Sequence, residues 1–203
     1  MYPVPRVSAE HLAARRRQIV DAARRCFLRE GFHRTSMQDV IAEAGLSVGA
    51  VYRYFPSKND LINAIAEEAV SGAGEVLAGL ARHDPPLPLV EALDRILTYV
   101  ETQLGADGVL RIAIQVWGEA QRDPALAAFV AEKYSGFRSQ FGLLVRRAQQ
   151  AGELPADADP DAIAAALFAL VPGWFTQRIL TGGPDRRTYL AGVRALLGAT
   201  PLG

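Results

Sequence analysis

The sequence predicts an all-α protein with about nine helices, arranged as an N-terminal three-helix domain with a helix-turn-helix and a C-terminal helical domain. Apolar residues recur at helical spacing in every long segment. No stretch alternates with the period of two that a half-buried strand requires. Capping residues precede these segments and glycines or prolines follow them, which divides the chain into helices of ordinary length.

The composition is that of a folded protein whose charge is unevenly distributed. Half of its 203 residues are apolar, which argues against a disordered chain and allows one large domain or two smaller ones. The net charge is zero, yet residues 1–60 hold 10 Lys and Arg against 6 Asp and Glu, and the remaining residues hold 12 against 16. A basic N-terminal part is typical of a surface that faces nucleic acid.

Several classes of site are not expected. The single cysteine, Cys26, cannot form an internal disulfide or a cysteine metal site alone, and it is interpreted as a small core residue. The three histidines lie far apart, and no glycine-rich phosphate loop, nucleophile elbow or paired-carboxylate motif occurs. We therefore expect no metal, no cofactor and no enzymatic activity.

Neither a leader sequence nor a membrane span is expected. The N-terminus lacks a charged-then-apolar leader, and no uninterrupted run of about 18 apolar residues occurs. The most apolar stretch, Ala162 to Phe175, is interrupted by Pro172 and Gly173, so it is interpreted as a packed helix. These features predict a cytoplasmic protein without a membrane partner.

The first helix is predicted to reach about Glu30 and to end at Gly31. Residues 1–12 are assigned to a flexible arm that carries Arg6, a candidate DNA contact, and Ser8, a candidate N-cap. The apolar face of this helix consists of Ile19, Ala22, Ala23, Cys26 and Phe27. The other face is crowded with Arg15, Arg16, Arg17, Arg24, Arg25 and Arg29, most of which are interpreted as a solvated surface.

Residues 36–55 are predicted to form two short helices joined by a tight turn. Ser36 and Asp39 have the spacing of a capping box, and Gly45 supplies the left-handed residue that ends the first helix. Ser47 caps the second helix. Two helices joined by about three or four residues that include a glycine form a helix-turn-helix.

An ordinary helical hairpin within a bundle is the alternative for this segment. A buried hairpin does not explain Tyr52, Arg53 and Tyr54 in succession, since three consecutive helical residues point around most of the circumference and at least one must face solvent. Small residues at Gly49 and Ala50 suit a close approach to another surface. We therefore interpret the second helix of the motif as facing DNA.

Six further helices are predicted after the motif. Ser57 and Asp60 form a second capping box, which opens a long helix that reaches about Leu80. The proline-rich segment 83–88 breaks the chain, and an amphipathic helix then ends at Gly105. A mixed helix is predicted from Val109 to about Arg122, and the last helix from near Pro184 or Asp185 to about Leu197. Two further helices are predicted to begin near Pro124 and Pro160, because an acidic cap, Asp123 or Asp159, precedes each proline.

Residues from about Arg15 to Glu67 resemble the N-terminal DNA-binding domain of the TetR family of transcriptional regulators. The resemblance rests on four segments in the right order and spacing: IVDAARRCFLREGF, TSMQDVIAEAG, LSVGAVYRYF and SKNDL. Together they are far more specific than a lone helix-turn-helix. The resemblance assigns residues 13–70 to a DNA-binding domain and residues 71–203 to a helical effector-binding and dimerisation domain.

This resemblance implies a homodimer that binds double-stranded DNA at a palindromic operator, with the third helix in the major groove. The implied DNA-binding residues are Thr35, Ser36, Ser47, Val48, Gly49, Ala50, Tyr52, Arg53, Tyr54 and Lys58, with Tyr52 and Lys58 at phosphates. Arg53 is the one strong reader of base edges on the third helix, which contains no Asn or Gln. Specificity is therefore expected to depend also on thymine methyl groups, DNA shape and the arm around Arg6.

Aromatic and glutamine side chains of the C-terminal domain form a candidate pocket for a small apolar or amphipathic effector. Apolar walls with a few polar groups are the usual make-up of such a site, and an unpaired buried amide is costly. Any one of these aromatic residues is better explained as core, so the prediction concerns the set. The candidates are Tyr99, Gln103, Gln115, Trp117, Phe129, Tyr134, Phe137, Phe141, Trp174 and Phe175.

The last two helices are the candidate dimer interface, which the resemblance implies is a four-helix bundle. Alanines in AIAAALFALVPGWF allow close helix approach, and Pro172 is expected to bend the helix axis. The interface candidates are Leu167, Leu170, Val171, Leu190, Val193, Leu196 and Leu197. A core within one protomer would use the same residues, so both roles stay open.

The predicted function is that of a ligand-responsive DNA-binding regulator, most simply a repressor that a small effector releases from its operator. In the free dimer the two recognition helices are expected one DNA turn apart, about 34–36 Å. Effector binding is expected to favour a state with another spacing, through the fourth helix. The alternative is a helical ligand-binding protein or an enzyme on the same scaffold that does not bind an operator.

Overall fold

The computed structural model describes residues 9–105 and 108–198, apart from the side chain of Ala69, and these residues form nine α-helices and no strand. The all-α class and the number of helices predicted from the sequence are confirmed. The helices are α1 (Ala9–Glu30), α2 (Met37–Ala44), α3 (Val48–Tyr54), α4 (Lys58–Arg82), α5 (Leu89–Thr102), α6 (Leu110–Ala120), α7 (Pro124–Gln150), α8 (Pro160–Thr181) and α9 (Arg186–Leu196).

The chain divides into two compact units, Met1–Glu67 and Glu68–Gly203, and this boundary falls within α4. The boundary predicted from the sequence lies three residues further along the chain. Residues 9–12 of the predicted arm form the first turn of α1 instead. The predicted roles of Arg6 and Ser8 lie outside the described residues.

The N-terminal unit is built around the apolar face of α1. The face predicted from helical spacing is buried and also includes Val20. Phe27 packs edge to face on Phe32, with the ring centroids 5.3 Å apart. Cys26 is buried in this core, and burial raises the pKa of its thiol. The other helices contribute Val40, Ile41, Ala44, Val51, Leu61, Ile62, Ala64 and Ile65.

Polar side chains of α1 hold the second helix of this unit. The Gln18 side-chain amide donates to the Ala44 carbonyl at 2.8 Å, which occupies an acceptor at the end of α2. Glu43 accepts from Arg25 at 2.7 Å and from Arg29 at 3.3 Å. These contacts lower the pKa of Glu43, with the hydrogen bond from Arg25 as the largest cause. Part of the basic face of α1 is therefore paired within the unit.

The C-terminal unit has a large hydrophobic core cluster, formed by residues of α4, α5, α7, α8 and α9, against which partly buried side chains of α6 pack. The buried face of α5 matches the predicted amphipathic pattern. Polar contacts fix the ends of this helix: the Leu89 N–H donates to the Glu153 carboxylate at 2.9 and 3.1 Å, and Arg186 of α9 contacts Asp94 at 2.5 Å and Glu101 at 3.3 Å. The helix ends three residues before the predicted stop at Gly105.

Helix α8 continues through Pro172 and presents two different faces. Its length and composition alone would allow it to span a membrane. One face, with Leu167, Trp174 and Phe175, is buried in the core, as the packed-helix interpretation requires. The opposite face is exposed and consists of Ala162, Ala165, Ala166, Ala169, Gly173, Gln177 and Leu180.

The sequence left two roles open for the leucines and valines of α8 and α9, the dimer interface and the core of one protomer. The structure distinguishes these roles. Leu167, Leu190 and Val193 are buried in the core of one chain, so their prediction as interface residues is corrected. Leu170 and Val171 pack partly against the same core. The apolar side chains left exposed are Leu196, Leu197 and, not predicted, Leu180, with exposed fractions of 85%, 37% and 69%.

Candidate DNA-binding surface and effector cleft

The helix-turn-helix predicted over residues 36–55 forms with the expected caps. The Ser36 N–H donates to the Asp39 carboxylate at 2.8 Å, and the Asp39 N–H donates to the Ser36 hydroxyl at 3.2 Å. Hydrogen bonds from the Ser36 backbone N–H and the Ser36 hydroxyl to the carboxylate lower the pKa of Asp39, with that from the backbone N–H as the largest cause. Gly45 ends α2 in the left-handed region at φ 64°, and the Ala50 N–H donates to the Ser47 hydroxyl at 3.3 Å.

Helix α3 presents most of its surface to solvent. Val51 is its buried residue, and it anchors the helix on the unit. Val48 and Tyr52 are 50% and 41% exposed, so two large side chains of this short helix are left in contact with solvent. Ser47, Gly49 and Arg53 are also exposed, while Ala50 and Tyr54 are half-buried. Five of the predicted DNA-facing side chains therefore share an exposed surface.

Gly49 is not required by the fold. A Cβ atom at this position would have no heavy atom within 4 Å, and its backbone is ordinary helix. Glycine inside a helix lowers stability by about 0.5–1 kcal/mol relative to alanine. Packing within the folded chain therefore does not explain the glycine on the exposed side of α3.

Thr35 does not face outward, which corrects its prediction as a side chain that meets the DNA backbone. Its side chain is 2% exposed, and its hydroxyl donates to the Gly31 carbonyl at 2.8 Å and to the Cys26 carbonyl at 3.3 Å. The Thr35 N–H donates to the Gly31 carbonyl as well. The residue fixes the loop between α1 and α2.

Lys58 is also turned toward the protein, and its phosphate contact stays a prediction. Its ammonium donates to the carbonyls of Phe32 at 2.8 Å, Thr35 at 3.0 Å and His33 at 3.3 Å. The same ammonium lies 4.4 Å from the centroid of the Phe32 ring. An ammonium has three donors, and here each has a carbonyl partner. Lys58 therefore holds the α1–α2 loop against the start of α4.

A cleft of about 590 Å³ lies between α6, α7 and α8 of the C-terminal unit. This volume falls in the usual range of small-molecule sites, about 300–1,000 Å³. Its walls are mostly apolar, with polar groups from Gln121, Tyr134 and Arg138. The lining residues are Trp117, Ala120, Gln121, Ala127, Val130, Ala131, Tyr134, Arg138, Ala165, Phe168, Ala169 and Pro172.

An aromatic cluster forms one side of the cleft, with Phe168 at its centre. The Phe168 ring lies 4.9 Å from Tyr134 edge to face, 6.0 Å from Phe137 stacked, and 5.9 Å from Phe141 edge to face. Trp117 contacts Tyr134 at 6.2 Å and Phe175 at 5.5 Å. Sequence reasoning identified the five outer rings of this cluster and missed the central one.

Two of the predicted pocket residues, Trp117 and Tyr134, line the cleft, and Phe137, Phe141 and Phe175 support its aromatic wall. The other five predictions are not among the residues that line it. Trp174 is a fully buried core residue whose indole N–H donates to the Pro184 carbonyl at 3.1 Å. The Gln103 amide donates to the Thr102 hydroxyl, and the Phe129 ring lies under Lys133 at 5.1 Å. Tyr99 packs against Gly72, and Gln115 is not one of the residues that line the cleft.

The polar groups of the cleft differ in how they are held. Burial raises the pKa of Tyr134, so its phenol remains protonated and can donate a hydrogen bond. Arg138 is exposed and has no hydrogen-bond or ion-pair partner within residues 9–105 and 108–198. Over the same ranges, no group of three or more His, Cys, Asp and Glu side chains is arranged to hold a metal ion.

Both parts of the chain match known regulators. Residues 19–65 match the family described as bacterial regulatory proteins, tetR family, and residues 89–200 match the description BetI-type transcriptional repressor, C-terminal. The HTH-type transcriptional repressor Rv1474c of Mycobacterium tuberculosis is 28% identical over 193 residues, which cover 93% of this chain and 94% of that protein.

Solved structures of similar length share the fold. A SmeT–triclosan complex has a TM-score of 0.73 and 25% identity, and the match covers 90% of this chain and 91% of the other. A transcriptional regulator from Saccharomonospora viridis in complex with choline has a TM-score of 0.67 and 27% identity, over 92% of this chain and 94% of the other. The same order of helices is therefore found in two regulators whose structures contain a small molecule.

Proposed function

Because the chain belongs to the TetR family of bacterial transcriptional regulators, we propose that it is a repressor that leaves a palindromic operator when a small amphipathic molecule binds. It is a ligand-responsive DNA-binding regulator, and its relatives are regulators rather than enzymes. What we propose beyond the family is the repressor mode, the operator symmetry, the effector class and a cytoplasmic location.

The outward surface of α3 carries the proposal. Val48, Gly49, Tyr52 and Arg53 are exposed together on a helix that Val51 anchors, and the fold itself has no use for a glycine at position 49. A helix that enters the major groove needs close backbone approach, apolar contact with thymine methyl groups and a reader of base edges. These side chains supply all three, with Arg53 as the base reader.

The exposed faces of α8 and α9 support a homodimer. Outside the cleft lining, α8 exposes Ala162, Ala166, Gly173 and Leu180, and the end of α9 exposes Leu196, which Leu197 follows. Small residues let helices approach closely, and large exposed leucines gain free energy when a partner covers them. A two-fold arrangement of these faces would give the dimer that reads two half-sites of one operator.

The cleft between α6, α7 and α8 is the proposed effector site. The triclosan and choline complexes of the two similar regulators support a site of this kind in this chain. A contact links α7, which forms one wall of the cleft, to the fourth helix: Arg147 of α7 donates to the carbonyl of Ala81, in the last turn of α4, and to that of His83 at 2.7 Å. A shift of α7 on effector binding would therefore reach α4, the helix that contributes to both units.

Selection from a random double-stranded DNA library tests the DNA-binding part directly. The full-length protein is expected to enrich an inverted repeat whose half-site centres lie about one helical turn apart, 10–10.5 base pairs, or a multiple of it. Arg53→Ala should weaken binding to the selected site by about 10-fold or more and relax its sequence at one position in each half-site.

Arg111→Ala, at an exposed arginine of α6 that lies outside the proposed dimer face and the cleft lining, is the matched control and should bind the selected site like the wild type. Enrichment of no sequence, or of a single asymmetric half-site, would contradict the proposed operator. An Arg53→Ala variant with unchanged affinity and specificity would remove Arg53 from the reading surface.

A further inference from the structure

The charged group in the lining of the effector cleft is positive. Among the residues that line it, Arg138 is the charged side chain, and Gln121 and Tyr134 supply the other polar groups. Two acidic residues close to the lining residues in sequence, Glu119 and Glu132, do not line the cleft, and Glu132 contacts Lys133 at 3.0 Å. A ligand in the cleft therefore meets a positive charge and no negative one.

Arg138 is one of several arginines of this unit that have no side-chain partner among the described residues, and it is the one of them that lines the cleft. Arg146 contacts Asp161 at 3.4 Å, Arg147 donates to two backbone carbonyls, and Arg186 contacts Asp94 and Glu101. Arg138 has no such partner in the described part of the chain, and the residues three and four positions away on α7 are Tyr134, Ser135, Phe141 and Gly142. No carboxylate on its own helix face is placed to neutralise it.

The walls near Arg138 suit the apolar body of an aromatic ligand. Trp117, Tyr134 and Phe168 line the cleft and contact each other edge to face along the chain Trp117–Tyr134–Phe168. The protonated phenol of Tyr134 is one turn of α7 before Arg138, so a donor and a cation lie on the same side of one helix. A planar guanidinium with a neighbouring donor matches the oxygens of a carboxylate or sulfonate.

We propose that the cleft selects an amphipathic anion: an aromatic or otherwise planar apolar body packs against the wall formed by Trp117, Tyr134 and Phe168, with a carboxylate or sulfonate at the Arg138 guanidinium. This inference rests on the proposed effector role of the cleft. A quaternary ammonium could also contact the aromatic rings, since cations are attracted to ring faces. In this cleft it would meet the charge of Arg138 without a carboxylate to offset it.

Three matched probes separate these possibilities: naphthalene-2-carboxylate, its neutral amide, and naphthalen-2-ylmethyl-trimethylammonium. Isothermal titration calorimetry on the full-length protein measures each dissociation constant at low ionic strength, where charge effects are least screened. Because Arg138 is exposed, we expect the carboxylate to bind only about 5- to 10-fold more tightly than the amide, and the cation more weakly than both.

Variants assign the preference to one side chain. Arg138→Gln should make the carboxylate and the amide bind equally, and Arg138→Glu should make the cation the tightest probe. Arg146→Gln removes the same charge from the same helix two turns away and is the control, since Arg146 does not line the cleft. A preference that falls equally in both Gln variants would assign it to the net charge of the unit and overturn the role of Arg138.

The results distinguish this inference from the proposed function. Equal binding of the three probes, tightest binding of the cation, or binding of none of them up to millimolar concentration would each overturn the anion class. The repressor proposal is tested separately, because selection of an inverted repeat by the ligand-free protein does not depend on the probes. Naphthalene-2-carboxylate that binds but leaves operator affinity unchanged would support the anion site and contradict its effector role.

Discussion

Lys58 of the N-terminal unit and Arg138 of the C-terminal unit are both basic side chains beside a candidate binding site, and the fold uses them in opposite ways. The Lys58 ammonium donates to three backbone carbonyls and lies over the Phe32 ring. Arg138 has no partner within the described ranges and points its charge at a cleft. A basic residue in a binding motif is therefore not by itself a ligand contact.

The same contrast applies to other side chains of the two units. In the N-terminal unit Thr35, Ser36 and Gln18 satisfy backbone groups at helix ends, and the surface left for DNA is mainly α3. In the C-terminal unit Trp174 belongs to the core, while Trp117 lines the cleft. Each unit thus contains side chains that face inward and side chains that face a candidate binding surface. Substitutions can distinguish the two kinds.

The largest effect is expected at the tryptophan pair. Trp174→Ala removes a fully buried ring and should lower the free energy of unfolding by about 3–5 kcal/mol. Trp117→Ala, at a half-buried ring, should cost clearly less and should instead weaken binding of naphthalene-2-carboxylate. Urea unfolding and calorimetry on the same preparations measure both quantities. A greater loss of stability in Trp117→Ala would reverse the assignment of core and cleft.

Lys58→Met should lower the free energy of unfolding by about 2 kcal/mol in the absence of DNA, because it leaves three carbonyls without a charged donor. Arg53→Met, which removes an exposed charge from α3, should change stability by no more than about 0.5 kcal/mol. Urea unfolding of both variants is compared with the salt dependence of their DNA binding. Unchanged stability together with a salt slope flattened by about one unit would instead support the predicted phosphate contact of Lys58.

Gly49→Ala should stabilise the protein by about 0.5–1 kcal/mol, since the added methyl group meets open space in the folded chain and alanine favours helix. The same methyl group should weaken operator binding if DNA approaches this face. Gly136→Ala on α7, where a Cβ atom also meets open space, should stabilise comparably and leave DNA binding unchanged. An operator affinity that rises in Gly49→Ala would exclude close approach at this position.

The smallest effects are expected at the helix caps. Hydrogen bonds from the Ser36 and Thr188 backbones lower the pKa values of Asp39 and Asp185 below their ordinary value of 3.8. A carboxyl group whose pKa is lowered by folding stabilises the folded state at pH values above its ordinary pKa. This stabilisation is lost as the pH falls through the folded-state pKa. Asp39→Asn and Asp185→Asn should therefore be less stable than the wild type near neutral pH, and the difference should narrow below pH 3.8. Thermal melts across this range measure it, and a constant difference would show that the carboxylate charge plays no part.

Helix ends are the features that the sequence predicts best. The Ser36–Asp39 and Ser57–Asp60 boxes form at the predicted residues, and Asp123 and Asp159 are the N-caps of α7 and α8, as predicted. Each of these contacts spans two or three residues of chain. The spacing along the sequence therefore already determines the geometry of the contact.

The exposed side chains of α3 were predicted better than the lining of the cleft, because local contacts determine the first and contacts between distant helices determine the second. The exposed side chains of α3 follow from one short helix and its single anchor, Val51. Lys58 meets carbonyls more than 20 residues away, so no local pattern indicates its direction. The lining of the cleft comes from three helices, and Phe168, Gln121 and Arg138 carry no individual signal in the sequence that separates them from surface or core residues.

By itself the sequence determined the all-α class, the helix-turn-helix, the caps and the family, because each depends on residue types at short and regular spacing. Tertiary structure alone decided which side chains face inward. It assigned Leu167, Leu190, Val193 and Trp174 to the core and left Leu180 and Leu196 exposed. It also bound Lys58 to its own backbone and left Arg138 at the cleft. A helix face is apolar or basic in the sequence, but what covers it depends on helices that are distant along the chain.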